Sequence, residues 1–215
     1  DKTDIIIHSD TLYSAITSLW NTFYDDDVSN FFEQPKFILS SAFHYFDNIR
    51  FYSKPFLRIF EPTDEIKSKT IKKIEFISEN IFIEIIQGKT IKFDRNLLSE
   101  NGKYYGAKIG EIFKKQTDDR TSVNRITNES DIFTIEELYF ADNAGFFFLA
   151  RFIDENLKSK FDAVLRLLGD TGIGADRNYG KGMFEVKAIE ELKAFKVENP
   201  NRFITLSLYH PVKDE

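Results

Sequence analysis

The stretch GDTGIGADRNYGKGMFEV, residues 169–186, holds five of the ten glycines in the chain together with Arg177, Tyr179 and Lys181. Glycine has no Cβ atom, so a glycine-rich loop lets backbone amides approach a ligand closely. Arginine and lysine neutralise phosphates, and a tyrosine ring stacks on a nucleobase. The alternation of glycine, cation and ring therefore favours a cradle for an extended polyanion. A flexible connector between two elements is the alternative interpretation.

Two familiar glycine motifs do not fit this stretch. A dinucleotide-binding GxGxxG follows a strand and opens a helix, whereas here Arg177 stands at the third glycine position and the predicted flanking order is helix, then strand. A Walker loop has four residues before Gly-Lys and a hydroxyl after it. Five residues separate Gly174 from Gly180, and Gly182 follows Lys181. Neither nucleotide-binding loop is predicted.

The composition restricts the class of protein. The 215 residues suffice for one large domain, or for one domain and part of another. Cysteine is absent, which excludes disulfides and thiolate zinc sites and agrees with a reducing cytoplasm. We expect no membrane span and no signal peptide, because no long apolar run or basic leader is present. The net charge of −6 is opposite to that of a free nucleic-acid binder, so RNA binding would need a local basic surface or partner subunits.

Two segments predict helices with apolar residues at three- and four-residue spacing. The first is 8–24, with Ser9 or Asp10 as its N-cap. The second is 156–169, with Gly169 at its C-terminal cap. The remaining predicted elements are a short helix at 79–88 and strands at 36–60 (short and interrupted by Pro55), 72–78, 135–140, 145–153, 182–189 and 202–212.

The order of these elements predicts an α+β fold with helices on one face of an antiparallel sheet. A strand before Ile5 would make the arrangement ferredoxin-like. A composition change near 198–200 predicts a first domain at 1–198, with inserted segments, and the start of a second domain at 199–215. The phenylalanines at 146–148 cannot all face one core, since strand side chains alternate. We therefore expect a helix on one face of that strand and a partner or another layer on the other.

The sequence resembles a known protein family. GIGADRNYGKGMFEV looks like the glycine-rich loop of RAMP proteins, the RNA-binding subunits of CRISPR systems. Four other segments resemble the fourth subunit of the type III-A (Csm) effector complex, in the right order. They are IIIHSDTLYSAI, LSSAFHYF with FYSKPF, DDRTSVNRITNES and RFITLSLYHPVKDE. His44 departs from the pattern, because a proline is expected there.

The resemblance implies a ferredoxin-like RAMP domain followed by a second one. It also implies a prokaryotic, cytoplasmic protein that holds the 5′ repeat-derived tag of the CRISPR RNA. Such a subunit docks on the large polymerase-like (cyclase-like) subunit and on a backbone RAMP subunit. It is expected to need no cofactor or metal, to lack a membrane anchor and not to cut RNA.

The predicted RNA-binding residues share exposed donors, cations or bare backbone. The amides at the start of the first helix form an anion site in principle, although Ser9 and Asp10 alternatively act only as caps. Arg120 and Arg125 alternatively pair with neighbouring carboxylates or are solvated, and the two serines alternatively satisfy a loop. The full set is Gly172, Gly174, Arg177, Tyr179, Gly180, Lys181, Gly182, Ser9, Asp10, Thr11, Ser40, Ser41, Arg120 and Arg125.

Other classes of function stay open at the level of sequence. A metal-independent endoribonuclease would use a histidine base, for which His8, His44 and His210 are the candidates. Asp118 or Asp119 could instead cleave a target RNA. The acidic run at 25–27 is a metal-site candidate, although a solvated turn is the simpler interpretation. The 23 phenylalanines also permit a pure protein-interaction module.

Overall fold

The computed structural model describes residues 4–24, 28, 30–61, 68–123, 125–192, 195, 197, 200 and 203–209. The chain divides into two compact units. Unit 1 consists of Asp1–Ile6, Phe43–Phe147 and Lys196–Ile204, and unit 2 of Ile7–Ala42, Phe148–Phe195 and Thr205–Glu215. The predicted boundary at 198–200 lies largely outside the described residues, and it stays a prediction. No helix in the described ranges is long and apolar enough to span a membrane.

Unit 2 is built on two amphipathic helices and a short antiparallel strand pair. The predicted stripe of the second helix is confirmed, since Phe161, Val164 and Leu168 are all buried. Trp20 of the first helix is fully buried, and its ring stacks on that of Phe37 at 6.0 Å. The elements are α1 (Ser9–Tyr24), α2 (Asn30–Glu33), β1 (Phe37–Leu39), β9 (Ala150–Phe152) and α5 (Lys158–Thr171).

The caps of these helices differ from the prediction. Helix α1 begins at Ser9, so His8 occupies the preceding position. Helix α5 continues past Gly169 and ends at Thr171, where Gly172 forms the cap with a φ of 79°. Gly169 is required for a different reason, because an added Cβ atom there would lie 2.4 Å from the carbonyl oxygen of Phe184.

Unit 1 contains a five-stranded sheet in the order β5-β4-β3-β2-β8. All pairs are antiparallel except β4 with β5 at one edge, so the sheet is largely antiparallel as predicted. A separate two-stranded ribbon, β6 with β7, extends over eleven residue pairs. The elements are β2 (Phe43–Phe46), β3 (Ile49–Ser53), α3 (Ser68–Lys73), β4 (Phe76–Ser78), α4 (Glu79–Ile86), β5 (Tyr104–Tyr105), β6 (Phe113–Val123), β7 (Ser130–Phe140) and β8 (Ala144–Phe147).

The α+β class is confirmed, and several predicted strands need correction. Lys72 and Lys73 end helix α3 and are not part of a strand. The predicted strand at 145–153 is split into β8 and β9. Residues 182–189 form no strand, because the Phe184 amide bonds to the carbonyl of Gly169 at the end of α5. Residues 203–209 also form no strand.

The run of three phenylalanines alternates as predicted. The ring of Phe146 lies 5.4 Å from that of His44. The ring of Phe147 lies 5.2 Å from that of Tyr52. The ring of Phe82, on α4, stacks on Tyr52 from 4.6 Å. The expected helix therefore covers this side of the unit 1 sheet.

Candidate nucleic-acid interface

Two glycines form the neck of the loop at 172–182. The carbonyl oxygen of Gly182 accepts a hydrogen bond from the amide of Ile173 at 3.0 Å, which closes the loop. An added Cβ atom at Gly182 would lie 2.0 Å from the Ile173 carbonyl oxygen. An added Cβ atom at Gly172 would lie 2.6 Å from the carbonyl oxygen of Lys181. These two glycines therefore let the chain approach itself, a role that is independent of any RNA.

The tip of the loop is a tight turn with hydrogen bonds between its backbone groups. The 3-10 turn Arg177–Tyr179 follows Asp176, whose carbonyl oxygen accepts from the amides of Tyr179 at 2.9 Å and Lys181 at 3.4 Å. Gly180 ends the turn in the left-handed region with a φ of 75°. The two cations thus flank a defined turn, so the loop is more ordered than a simple connector.

The predicted phosphate and base contacts lie on the outside of this turn. Arg177 is exposed, Lys181 is half-buried, and Tyr179 is 77% exposed. An added Cβ atom at Gly174 or Gly180 would meet no atom within 4 Å. The tip therefore combines a cation, an aromatic ring and uncovered backbone, which are the features that a single-stranded polynucleotide needs.

The start of α1 is occupied by the protein itself. The Ser9 amide donates to Oγ of Ser41 at 3.2 Å, and Oγ of Ser9 accepts from the Leu208 amide at 3.1 Å. Oδ1 of Asp10 accepts from the Thr11 amide at 2.6 Å. A carboxylate in the first turn complements the positive end of a helix and repels a phosphate there. The carboxylate of Asp10 is therefore better suited to the helix start than to a phosphate, and the Ser9 hydroxyl is used by the Leu208 amide and does not cap α1.

The serine pair after β1 is also used internally. Ser40 and Ser41 are both buried. Oγ of Ser40 donates to the carbonyl oxygen of Ser41 at 2.7 Å and accepts from the Leu149 amide at 2.8 Å. The Ser41 amide donates to the carbonyl oxygen of Leu206 at 2.8 Å. The bond to Leu206 ties the C-terminal segment to the rest of unit 2. Because both serine hydroxyls already have partners within the protein, the structural interpretation is favoured for both.

The remaining predicted residues, Arg120 and Arg125, lie on the β6–β7 ribbon of unit 1, whereas the glycine loop belongs to unit 2. Nη2 of Arg120 lies 3.4 Å from Oε1 of Glu137, a partner that the sequence did not identify. Arg125 is exposed in the turn that joins the two strands. Both arginines are thus presented away from the core of unit 1.

The ribbon extends well beyond the predicted strand at 135–140, which is confirmed as part of β7, and the rest of it is the main feature that the sequence did not predict. Phe133 lies directly opposite Arg120 in the register and is 45% exposed, so a ring and a cation share one face. Asn128 in the connecting turn has a φ of 58°, a conformation that asparagine tolerates better than most residues. The signal was present as β-branched residues on both sides of the segment NRITN.

Of the three histidine candidates for catalysis, His44 is a core residue. Nε2 of His44 lies 2.6 Å from the carbonyl oxygen of Ile5, and Nδ1 lies 3.0 Å from the hydroxyl of Tyr104. Because a carbonyl only accepts, Nε2 carries the proton and Nδ1 accepts from the tyrosine. Burial lowers the pKa of His44 from 6.5 to about 4. Two further candidates, His210 and the acidic run at 25–27, lie outside the described residues.

The two aspartates proposed for target cleavage do not converge. Oδ1 of Asp119 accepts from the Thr134 hydroxyl at 2.7 Å, and Oδ1 of Asp118 accepts from the Gln116 side chain at 3.2 Å. Adjacent strand residues point to opposite faces. In the part of the chain that the structure describes, no group of three His, Cys, Asp or Glu side chains could hold a metal ion.

The fold and the loop define the class of protein. A sequence model of the RAMP superfamily matches residues 1–185, and the chain belongs to this superfamily. It is similar to the CRISPR system Cms protein Csm4 of Methanocaldococcus jannaschii, with 26% identity over 232 residues, 89% of this chain and 61% of the relative. The protein of the same description from Thermococcus onnurineus is 34% identical over 96 residues, 44% of this chain and 32% of the relative. The chain thus spans about three fifths of the first relative.

Solved structures share the fold. A chain of the Csm3-Csm4 subcomplex in the type III-A CRISPR-Cas interference complex superimposes with a TM-score of 0.60 and 23% identity, over 84% of this chain and 62% of that one. A chain of the Csm1-Csm4 cassette in complex with cA4 gives a TM-score of 0.53 and 21% identity, over 78% and 61%.

Proposed function

We propose that this protein is an RNA-binding structural subunit of a type III-A CRISPR (Csm) interference complex. In this role it holds the 5′ repeat-derived tag of the CRISPR RNA. It also bridges the large polymerase-like subunit and a backbone RAMP subunit in the prokaryotic cytoplasm. Similarity to Csm4 over most of the chain supports this assignment, because the solved relatives occur with Csm1 and with Csm3.

The exposed tip of the glycine loop is the observation that carries the RNA-binding part. Arg177 and Lys181 neutralise two phosphates of the tag, and the exposed ring of Tyr179 stacks on a base. Gly174 and Gly180 leave the backbone uncovered beside these side chains. The sugar–phosphate strand can therefore lie along the turn without a steric clash.

The β6–β7 ribbon supplies a second contact with the RNA. The pair of Arg120 with Glu137 is partly exposed, with side-chain exposures of 27% and 11%. The hydroxyl of Tyr139 also donates to Glu137, at 2.6 Å, so this carboxylate keeps a hydrogen-bond partner when Arg120 turns to a phosphate. Arg125 in the turn adds a second cation.

The acidic net charge fits a subunit whose RNA site is local. Outside the loop and the ribbon, the surface of such a subunit meets protein partners. Exposed apolar side chains such as Phe56 and Phe203, which are 109% and 81% exposed, are suited to contact with neighbouring subunits.

The subunit binds RNA without cutting it. A nuclease of this fold would need a base that reaches a 2′-hydroxyl, and His44 is fully buried with both ring nitrogens hydrogen-bonded. Asp118 and Asp119 each accept a hydrogen bond from a neighbouring side chain of the ribbon. These observations favour the binder over a nuclease built on His44 or on either aspartate.

This proposal is tested by mixing the full-length protein with RNA that carries the repeat tag and measuring the binding and the length of the RNA. Tag RNA should keep its length in the presence of either a divalent metal or a chelator. Arg177→Ala/Lys181→Ala should weaken binding and lower the salt slope of log K by about 1.4, since each contact with a single strand contributes about 0.7. The matched control is Lys158→Ala/Arg166→Ala, which removes two exposed cations of α5 and should bind like the wild type. Cleaved RNA, or equal slopes for both double variants, would contradict the proposal.

A further inference from the structure

A small polar cavity lies at the N-terminus of helix α4, within unit 1. Its volume is about 110 Å³, which admits one small polar group. Asn48 and Arg50 line it from β3 and the preceding turn, Ser78 and Glu79 from the start of α4, and Gly106 from the opposite wall. None of these residues belongs to the glycine loop or to the ribbon.

The hydroxyl of Ser78 is the unusual feature of this cavity. Ser78 occupies the N-cap position with extended backbone, where a serine oxygen ordinarily accepts from an amide of the first turn. It makes no such bond here. The residue is only 3% exposed, and its Oγ has no hydrogen-bond partner among the described residues. A buried hydroxyl without a partner is unfavourable, so the site lacks one acceptor or donor.

The backbone of Gly106 lies directly beside this hydroxyl. Gly106 has a φ of +111°, and an added Cβ atom there would lie 2.0 Å from Oγ of Ser78. The glycine therefore leaves room for the Ser78 side chain at the wall of the cavity. The first backbone amides of α4, like those at the start of any α-helix, have no acceptor within the helix.

The side-chain charges of the cavity offset each other, so its preference for an oxyanion rests on the start of the helix. Oε1 of Glu79 lies 3.7 Å from Nη1 of Arg50 and accepts from the hydroxyl of Tyr52 at 3.1 Å. The carboxylate is thus compensated inside the protein. The positive end of the α4 dipole, the Ser78 hydroxyl and the guanidinium of Arg50 then form a donor-rich wall.

We propose that the N-terminus of α4 is a phosphate-binding site, in which Ser78 and the first amides of the helix hold one phosphate oxygen and the positive end of the helix dipole favours its charge. RNA backbone phosphate is the ligand that follows from the proposed function, on which this choice of source rests. Free inorganic phosphate has the same chemistry and is the other source. In either case the ligand provides the acceptor that Ser78 lacks.

The test titrates full-length protein with inorganic phosphate and, separately, with single-stranded tag RNA. Ser78→Ala should keep or raise the melting temperature in phosphate-free buffer, because it removes an unpartnered group. It should weaken phosphate binding by about tenfold or more, the effect of one charge-assisted hydrogen bond. The matched control is Ser99→Ala. Ser99 is equally buried, but its Oγ donates to Asn101 and accepts from the Tyr104 amide, so this variant should lower the melting temperature and leave phosphate binding unchanged.

Asn80→Asp gives a second readout at an exposed position of the first turn. The added charge complements the helix dipole and repels phosphate, so the variant should fold normally and bind phosphate more weakly. Weaker binding of RNA by both variants supports RNA as the source, and weaker binding of phosphate alone supports the free ion. Unchanged binding of both ligands overturns the site, as does a loss of stability in Ser78→Ala that matches Ser99→Ala. If wild-type protein binds no RNA, the proposed function fails, while the phosphate titration still decides this inference.

Discussion

At the scale of single residues, the loop glycines differ in what they allow. Gly180 and Gly182 have nearly the same φ, 75° and 72°. An added Cβ atom meets nothing within 4 Å at Gly180 but would lie 2.0 Å from the Ile173 carbonyl oxygen at Gly182. The two positions therefore separate the effect of backbone conformation from the effect of close packing.

Replacing each of these glycines with alanine should give different costs. Gly180→Ala pays only for the left-handed conformation, about 1 kcal/mol of unfolding free energy. Gly182→Ala also forces the neck of the loop apart, and we expect about 3 kcal/mol or more in total. Urea unfolding of the two variants measures the difference. Equal destabilisation would show that the neck is not closed in the way described.

His44 links stability to pH. Burial lowers its pKa to about 4 in the folded protein, against 6.5 for an exposed histidine. Between these values the unfolded chain binds a proton that the folded chain does not, so stability rises with pH in this window. The free energy of unfolding therefore falls by on the order of 3 kcal/mol between pH 7 and pH 4. His44→Gln should show a flatter dependence of unfolding free energy on pH between 6.5 and 4, and parallel curves would contradict the buried neutral histidine.

Residue-scale partners were the hardest feature to predict from sequence. Ser40 and Ser41 were predicted as possible phosphate donors, and the structure gives both hydroxyls acceptors or donors from distant segments. The bond from the Leu149 amide to Ser40 joins residues 109 positions apart. Hydroxyl pairing of this range leaves no local signal, since serine is common in loops and caps alike.

At the scale of elements, the long helices were predictable and the strands were only partly so. Leu12 and Ile16 in α1, and Phe161 and Leu165 in α5, follow the helical spacing, and all four side chains are buried. Outside the β6–β7 ribbon, the described strands are two to five residues long, too short for a clear alternation. Segment 182–189 has strand composition but packs its backbone against the end of α5, so tertiary contact overrides propensity there.

The β6–β7 ribbon should be separable from the fold. None of the described residues within 116–137 is buried. Lys115 and Leu138 are register partners, so an Asn-Gly pair can join them as a two-residue hairpin loop. The shortened protein should melt within about 3 °C of the wild type and should bind tag RNA more weakly, because Arg120 and Arg125 are lost. Calorimetry and RNA titration test both parts, and a collapse of the melting temperature would show that the ribbon supports unit 1.

At the scale of the whole molecule, the strand pairing follows from contacts that the sequence does not reveal. β1 pairs with β9, and β2 pairs with β8, across about a hundred intervening residues. The order of elements predicted the α+β class correctly, but it could not predict these registers or the parallel pair of β4 and β5. The predicted second domain at 199–215 stays a prediction that a longer chain would test.

The central claim is that the glycine loop holds the sugar–phosphate strand of the tag. The most direct measurement is photocrosslinking of 4-thiouridine-labelled tag RNA to the full-length protein in its assembled complex, with the crosslinked peptides mapped by mass spectrometry. The account predicts crosslinks within residues 172–182, centred on Tyr179, and their loss in Arg177→Ala/Lys181→Ala. Crosslinks that fall entirely outside this loop, with an unchanged pattern in the double variant, would contradict it.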